Sequence, residues 1–411
     1  MTKKTAAIIL ALIITLYASL LIWKIFEPDH SCTFEKVAPE EAGMDGQQLL
    51  KADALIQAAI DAGEIPGAVW AVVRHGKLVY LNALGNQSVY PDTVAMTPET
   101  VFDLASVSKC VGTTMAVMQL LENGQIRLND PVSRYIPDFK PWTDPETGKS
   151  TSIRIIDLLT HSSGIDAYVG VDAYVKRFGE HTPDSLIRYI ATETGRRFRP
   201  GTKGLYSCLN FVTLHNIVEV VTGQKFEEYV EEHVFRPLGM EHTAYNPEGA
   251  ILAACAPTEI QADGMPLIGQ VHDPIARRIN AGNSGNAGVF STAEDLARLC
   301  AALMNGGELD GERVLAPATI ETMIRVPEYL SDGVGRALGW DNCSGSASIR
   351  GDFFDREKTI CHTGYTGTSI VMDMENECAV IILAHRVHPY DKGGLTRLRA
   401  TVSNVVAGAM R

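Results

Sequence analysis

The sequence predicts an α+β fold: an antiparallel sheet built from both chain ends and flanked by helices, with a mainly helical region inserted at about residues 106–260 and one N-terminal transmembrane helix. Three observations carry this expectation. Strand-like pairs joined by tight turns stand near both ends, helical periodicity fills the middle, and an uncharged apolar stretch opens the chain.

Thr5–Trp23 holds no charge, follows Lys3 and Lys4, and is succeeded beyond Lys24 by Glu27 and Asp29. As a helix it would run about 28 Å, close to the thickness of a bilayer core. The charge asymmetry predicts a cytoplasmic tail at 1–4, a single-pass anchor at 5–26, a linker at 27–44, and a periplasmic or cell-surface domain at 45–411. A cleaved signal peptide is the competing reading, but the apolar run is long for one and no small-x-small site follows.

Asp45 reads as the N-cap of a helix through about Ala62, with Leu49, Leu55, Ile56 and Ile60 on its apolar side. Ala68–Val73 and Leu78–Leu84 are strand-like and are joined by Arg74-His75-Gly76-Lys77, a hairpin turn. In the middle, Cys110–Glu122, Leu186–Thr194 and Val212–Val221 have helical spacing. Thr368–Met374 and Cys378–His385 form a second hairpin across Glu375-Asn376-Glu377, and a helix at about 393–410 closes the chain.

The chain has 411 residues, 45% of them hydrophobic and 21% charged, enough for one large or two intimate domains. A net charge of −13, with no basic stripe to neutralise phosphates, argues against nucleic acid as a partner. The eight cysteines have scattered spacing, with neither a disulfide framework nor a C-x-x-C pattern. His385 and His388 lack a nearby carboxylate motif, so neither a metal nor any other cofactor is expected. Oligomeric state is left open.

The chemistry centres on Ser106-Val-Ser-Lys109. A serine hydroxyl is a poor nucleophile until a neighbouring base takes its proton, and a lysine three residues on lies on the same helical face. Alone, that pair is a chance-level match in a chain this long. Two further motifs follow in order: Tyr206-Ser207-Cys208, ahead of an apolar helix, and His362-Thr363-Gly364, at the end of a strand-like run. No G-x-S-x-G elbow occurs, which removes the α/β-hydrolase alternative.

With these three motifs in this order, residues 40–405 resemble the serine β-lactamase-like superfamily of penicillin-binding proteins, class C β-lactamases and family VIII esterases. Leu158-Leu-Thr-His-Ser-Ser-Gly164, Val271-His272-Asp273 and the 285–296 stretch strengthen the resemblance, and His161-Ser162-Ser163 reads as a family turn. The resemblance implies a β-lactamase/transpeptidase-like fold with Ser106 as the acylated nucleophile, Lys109 as holder of its proton and Tyr206 as second general acid/base. It implies an oxyanion hole from the backbone N–H groups of Ser106 and Tyr365, with substrate held by His362, Thr363, Gly364 and position 208. Two departures matter. Cys208 stands where the family usually has Asn or Asp, and His362 replaces the more common Lys, whose charge would face a substrate carboxylate.

The expectation is therefore a membrane-anchored serine hydrolase with a small-molecule or peptide substrate, first a D-alanyl-peptide carboxypeptidase. A class C-like β-lactamase and a family VIII-type carboxylesterase are the alternatives within that class. A non-catalytic surface binding protein is the alternative of another class.

Overall fold

A computed structural model describes residues 32–330, 334–342 and 345–411. Asp45 caps the first long helix, α1 (Gly46–Asp61), by accepting the Gln47 and Gln48 N–H groups. The N-terminal hairpin follows as β1 (Gly67–Arg74) and β2 (Lys77–Val89), with His75 and Gly76 both at positive φ in the two-residue turn. A short β3 (Thr93–Ala95) extends it. The C-terminal strands are β4 (Thr359–Thr363), β5 (Ser369–Asp373) and β6 (Cys378–Ala384).

All six join one antiparallel sheet in the order β4-β5-β6-β1-β2-β3, so the β1–β6 ladder closes the two chain ends on each other from Ala68↔Ala384 to Arg74↔Cys378. β1 is buried along its whole length because both its faces are covered. Trp70 and Val72 pack with Val380 and Ile382 beneath α1 and the closing helix, Thr396–Ala407. Val69, Ala71 and Val73 face the opposite way, with Ile381 and Leu383, into a core shared with Leu296, Leu299 and Leu303 of Ala293–Met304. Each large side chain fully buried this way contributes roughly 1.5–3 kcal/mol.

Between β3 and β4 the chain is mainly helical, including α2 (Met115–Glu122) and α3 (Cys208–Thr222). The α+β architecture, with its sheet drawn from both ends, is as expected. The expected transmembrane helix is corrected: no helix among the described residues is long and apolar enough to cross a membrane. The longest of them, α1, has 16 residues and carries Lys51, Asp53 and Asp61. The expected tail at 1–4 and anchor at 5–26, and with them the expected membrane partnership, lie outside the described residues.

Candidate active site

The site is built where the Ser106 segment meets the end of β4. Phe102–Asp103 pairs with Phe290–Ser291, and the chain then reverses at Ala105, whose φ of 46° is strained for a side-chain-bearing residue. The Asp103 carboxylate steadies this bend, accepting the Ala105 N–H at 2.8 Å and the His272 N–H at 2.7 Å. Ser106 and Lys109 do not share one α-helix as expected. A tight 3₁₀ turn (Ala105–Val107) leads into a wide π-helical turn (Lys109–Thr114) before α2 begins. Thr114 Oγ1 donates to the Lys109 carbonyl at 2.8 Å, a side-chain bond on the widened turn.

This arrangement sets Lys109 Nζ 3.0 Å from Ser106 Oγ, 2.7 Å from the Asn286 carbonyl and 3.7 Å from Cys208 Sγ. Lys109 is fully buried. Burial presses its ammonium toward the neutral form, the Cys208 and Tyr206 groups press it back when ionised, and the balance lies above the ordinary lysine range. Burial also pushes the Tyr206 phenol and the Cys208 thiol up, against the opposing pull of Lys109. At neutral pH all three therefore keep their protons, and the cluster carries a single positive charge.

Tyr206 stands just ahead of α3 and walls the cleft, with its ring 5.1 Å from Lys109 Nζ and its phenol coupled to both Ser106 and Lys109. Its other face lies on His161, ring centroids 4.3 Å apart. His161 Nδ1 accepts the Ser207 N–H at 3.0 Å, which puts the ring proton on Nε2. His161, read from sequence only as part of a turn, is thus a support of Tyr206.

The 362–368 segment is fastened to the nucleophile segment by two hydroxyls. Thr366 Oγ1 donates to the Asp103 carbonyl and Thr368 Oγ1 to the Leu104 carbonyl, each at 2.8 Å. The approach is so close that a Cβ on Gly364 would collide with Thr368 Oγ1 and the Leu104 carbonyl. The Tyr365 N–H has no acceptor among the described residues, and Tyr365 and Ser106 line one cleft of about 330 Å³.

His362, Thr363 and Gly364 line the same cleft, whereas Cys208 lies behind it against Lys109. His362 donates Nδ1–H to the Thr363 carbonyl at 3.0 Å, leaving Nε2 as a buried lone pair without a partner among the described residues. Burial, then the nearby Arg336 and Lys109 charges, hold its pKa well below the usual histidine value, so its ring is neutral.

Sequence reasoning missed Arg336. Asp341 exchanges both backbone hydrogen bonds with Cys361 on the edge of β4, which fixes the Arg336–Asp341 turn against the cleft. The Arg336 guanidinium pairs with Asp341 at 2.9 Å, lies 5.2 Å over the Tyr206 ring, and leaves Nη1 without a hydrogen-bond partner among the described residues. Its sole signal in the sequence is a lone charge within the otherwise uncharged Val334–Trp340.

His385 and His388 are structural, bonded to the Pro257 and Thr258 carbonyls, and the seven described cysteines are free thiols. Among the described residues, no group of three or more His, Cys, Asp or Glu side chains is gathered to hold a metal ion.

A Ser-Lys pair with its lysine buried and a tyrosine beside it, at the junction of a two-ended antiparallel sheet and a helical region, defines a serine hydrolase of the β-lactamase fold. The chain belongs to the β-lactamase family, whose model matches residues 52–403. A relative from Salmonella agona (strain SL483), named "Putative D-alanyl-D-alanine carboxypeptidase", is 33% identical over 377 residues, 85% of each chain. Its counterpart from Salmonella typhimurium (strain LT2) matches to the same extent. Among solved structures, EstCE1, described as a hydrolase with promiscuous acyltransferase activity, is 25% identical with a TM-score of 0.71, covering 88% of this chain and 99% of its own. The octameric penicillin-binding protein homologue from Pyrococcus abyssi shares the fold at 21% identity and a TM-score of 0.66, over 88% of this chain and 77% of its own.

Proposed function

We propose that this hydrolase is a D-alanyl-peptide carboxypeptidase working through an acyl-enzyme on Ser106. The observation that carries this reading is the unpartnered Nη1 edge of Arg336 in the cleft that also holds Ser106. A buried guanidinium edge without a partner is matched by a carboxylate, which a D-alanyl peptide presents one residue beyond the scissile bond. The naming of the Salmonella relatives supports the same substrate class.

In this reading the Tyr206–Lys109 pair first gives up one proton to solvent; Ser106 Oγ then attacks the penultimate carbonyl, and its proton passes into the vacancy on that pair. The tetrahedral oxyanion is held by the Ser106 and Tyr365 N–H groups. The proton then leaves with the D-alanine amine, and water, deprotonated through the same pair, hydrolyses the ester. Neutral His362 accepts an N–H from the substrate at Nε2 rather than meeting a carboxylate.

The test compares a peptide ending in D-Ala-D-Ala with its C-terminal amide, following release of the last residue. Arg336→Ala is expected to raise KM for the acid by about 10- to 100-fold, the loss of one charge-assisted contact, and to leave the amide unaffected. Equal effects on both substrates would defeat the proposal. A carboxylesterase is the second reading, favoured by the neutral His362 and the match to EstCE1. A fluorophosphonate adduct on Ser106 without a penicillin adduct selects it, whereas a long-lived penicillin adduct selects the peptidase. Rapid turnover of penicillin selects a β-lactamase.

A further inference from the structure

We propose that a cavity between α3 and the 280–286 loop, away from the catalytic cleft, is a second ligand site that takes a small organic ammonium ion and communicates its occupancy to Lys109. The cavity measures about 210 Å³. Three buried acceptors on side chains that line it have no partner among the described residues: His215 Nδ1, Asn280 Oδ1 and Asn283 Oδ1. His215 and Asn280 are more than nine-tenths buried, at 9% and 6% exposure. His215 is locked flat against Phe226, ring centroids 4.3 Å apart, and turns Nε2 toward Glu219 Oε1 at 3.4 Å, so Nδ1 is left as a lone pair.

Buried acceptors without donors are costly, and three at one cavity call for a donor-rich occupant. The charge of that occupant follows from the rest of the lining: Asp184, Glu219 and Glu227 supply carboxyl groups, and neither lysine nor arginine contributes. An ammonium group brings three N–H donors and one positive charge. Ile187 and Val212 give the cavity an apolar side for a short alkyl chain.

The route to the catalytic lysine is a chain of hydrogen bonds. Asn280 Nδ2 donates to Ser284 Oγ at 2.9 Å, and Ser284 Oγ donates to Asn286 Oδ1 at 2.7 Å. The Asn286 carbonyl then accepts from Lys109 Nζ at 2.7 Å. The loop is wedged tightly: a Cβ on Gly285 would collide with the Phe211 carbonyl and crowd His215, and the Gly285 carbonyl accepts from Thr113 Oγ1 at 2.7 Å. A ligand that reorients Asn280 therefore acts on the loop that carries one of the acceptors of Lys109.

The test begins with calorimetric titration of the full chain carrying Ser106→Ala, which prevents any amine from serving as an acyl acceptor. Propylammonium chloride is expected to bind saturably, while tetramethylammonium, equally charged but without N–H groups, and potassium give no such heat. Glu227→Gln should weaken binding about tenfold, and Asn280→Ala should abolish it. In the chain with Ser106 intact, propylammonium should alter the rate of ester hydrolysis with half-effect at its binding concentration. Glu227→Gln should shift that half-effect by the same factor, with turnover in the absence of amine unchanged. Equal responses to all three cations, no saturable binding, or binding indifferent to both substitutions would overturn the site. A rate effect whose half-point ignores Glu227→Gln, or binding with no rate effect, would overturn the coupling.

Discussion

His161 lies flat against Tyr206, ring centroids 4.3 Å apart and planes 29° from parallel, while its Nδ1 accepts the N–H of the next residue, Ser207. The imidazole thus fixes both the plane of the Tyr206 ring and the backbone that follows it. His161→Ala is expected to lower kcat by about 10- to 100-fold with KM little changed, because it displaces the tyrosine without removing a substrate contact. A variant altered in KM alone would show that the ring serves substrate binding.

The proton path makes the sharpest demand on three side chains. Ser106→Ala should abolish turnover, and Lys109→Ala and Tyr206→Phe should each cut kcat by roughly 10²-fold or more. Single-turnover measurement with mass-spectrometric detection of the acyl-enzyme checks this directly. Acylation at normal rates in either of the last two variants would remove that residue from the path.

The pH profile follows from the directions of the pKa shifts. Tyr206 and Lys109 are both held above their ordinary ranges, so the cluster keeps its protons at neutral pH, and kcat/KM should rise with pH into the alkaline range as one proton is lost. His362 is held well below the usual value, so it gains a charge only in acid. Between about pH 6 and 8, where an ordinary histidine titrates, KM should therefore be flat. A KM that worsens with rising pH in that window would mean that His362 carries charge in the free enzyme.

Thr368 fastens the floor of the cleft. Thr368→Val keeps the shape of the side chain but leaves the Leu104 carbonyl without its hydroxyl donor. A loss of about 0.5–1.5 kcal/mol in denaturant unfolding is expected, the net worth of one hydrogen bond, since the Leu104 carbonyl keeps the Val107 N–H. Thr368→Ser, which restores the hydroxyl, should recover most of it.

Much of the frame was legible because its signals are local. Two strand-like runs around Arg74-His75-Gly76-Lys77 specified the first hairpin, and Asp45 specified the start of α1. The wide turn at Lys109–Thr114 was not legible, since it is tied to a hydroxyl–carbonyl bond from Thr114 to Lys109 that helical periodicity does not reveal. Arg336, His161 and Asp103 carried too little signal for a related reason: each acts through a partner distant in sequence. Arg336 reaches Tyr206, His161 reaches Ser207, and Asp103 reaches His272.

The sequence by itself determined the α+β class, the order of the three motifs and the candidate nucleophile, because strand-like apolar runs, turn chemistry and motif spacing are properties of neighbouring residues. Only the tertiary structure decided the electrostatics. Burial keeps His362 neutral, the Cys208 and Tyr206 groups around Lys109 offset the burial that would discharge it, and a turn more than one hundred residues from Tyr206 in sequence brings Arg336 over its ring. Charge state and cleft polarity depend on what surrounds a group in space, and packing alone sets those surroundings.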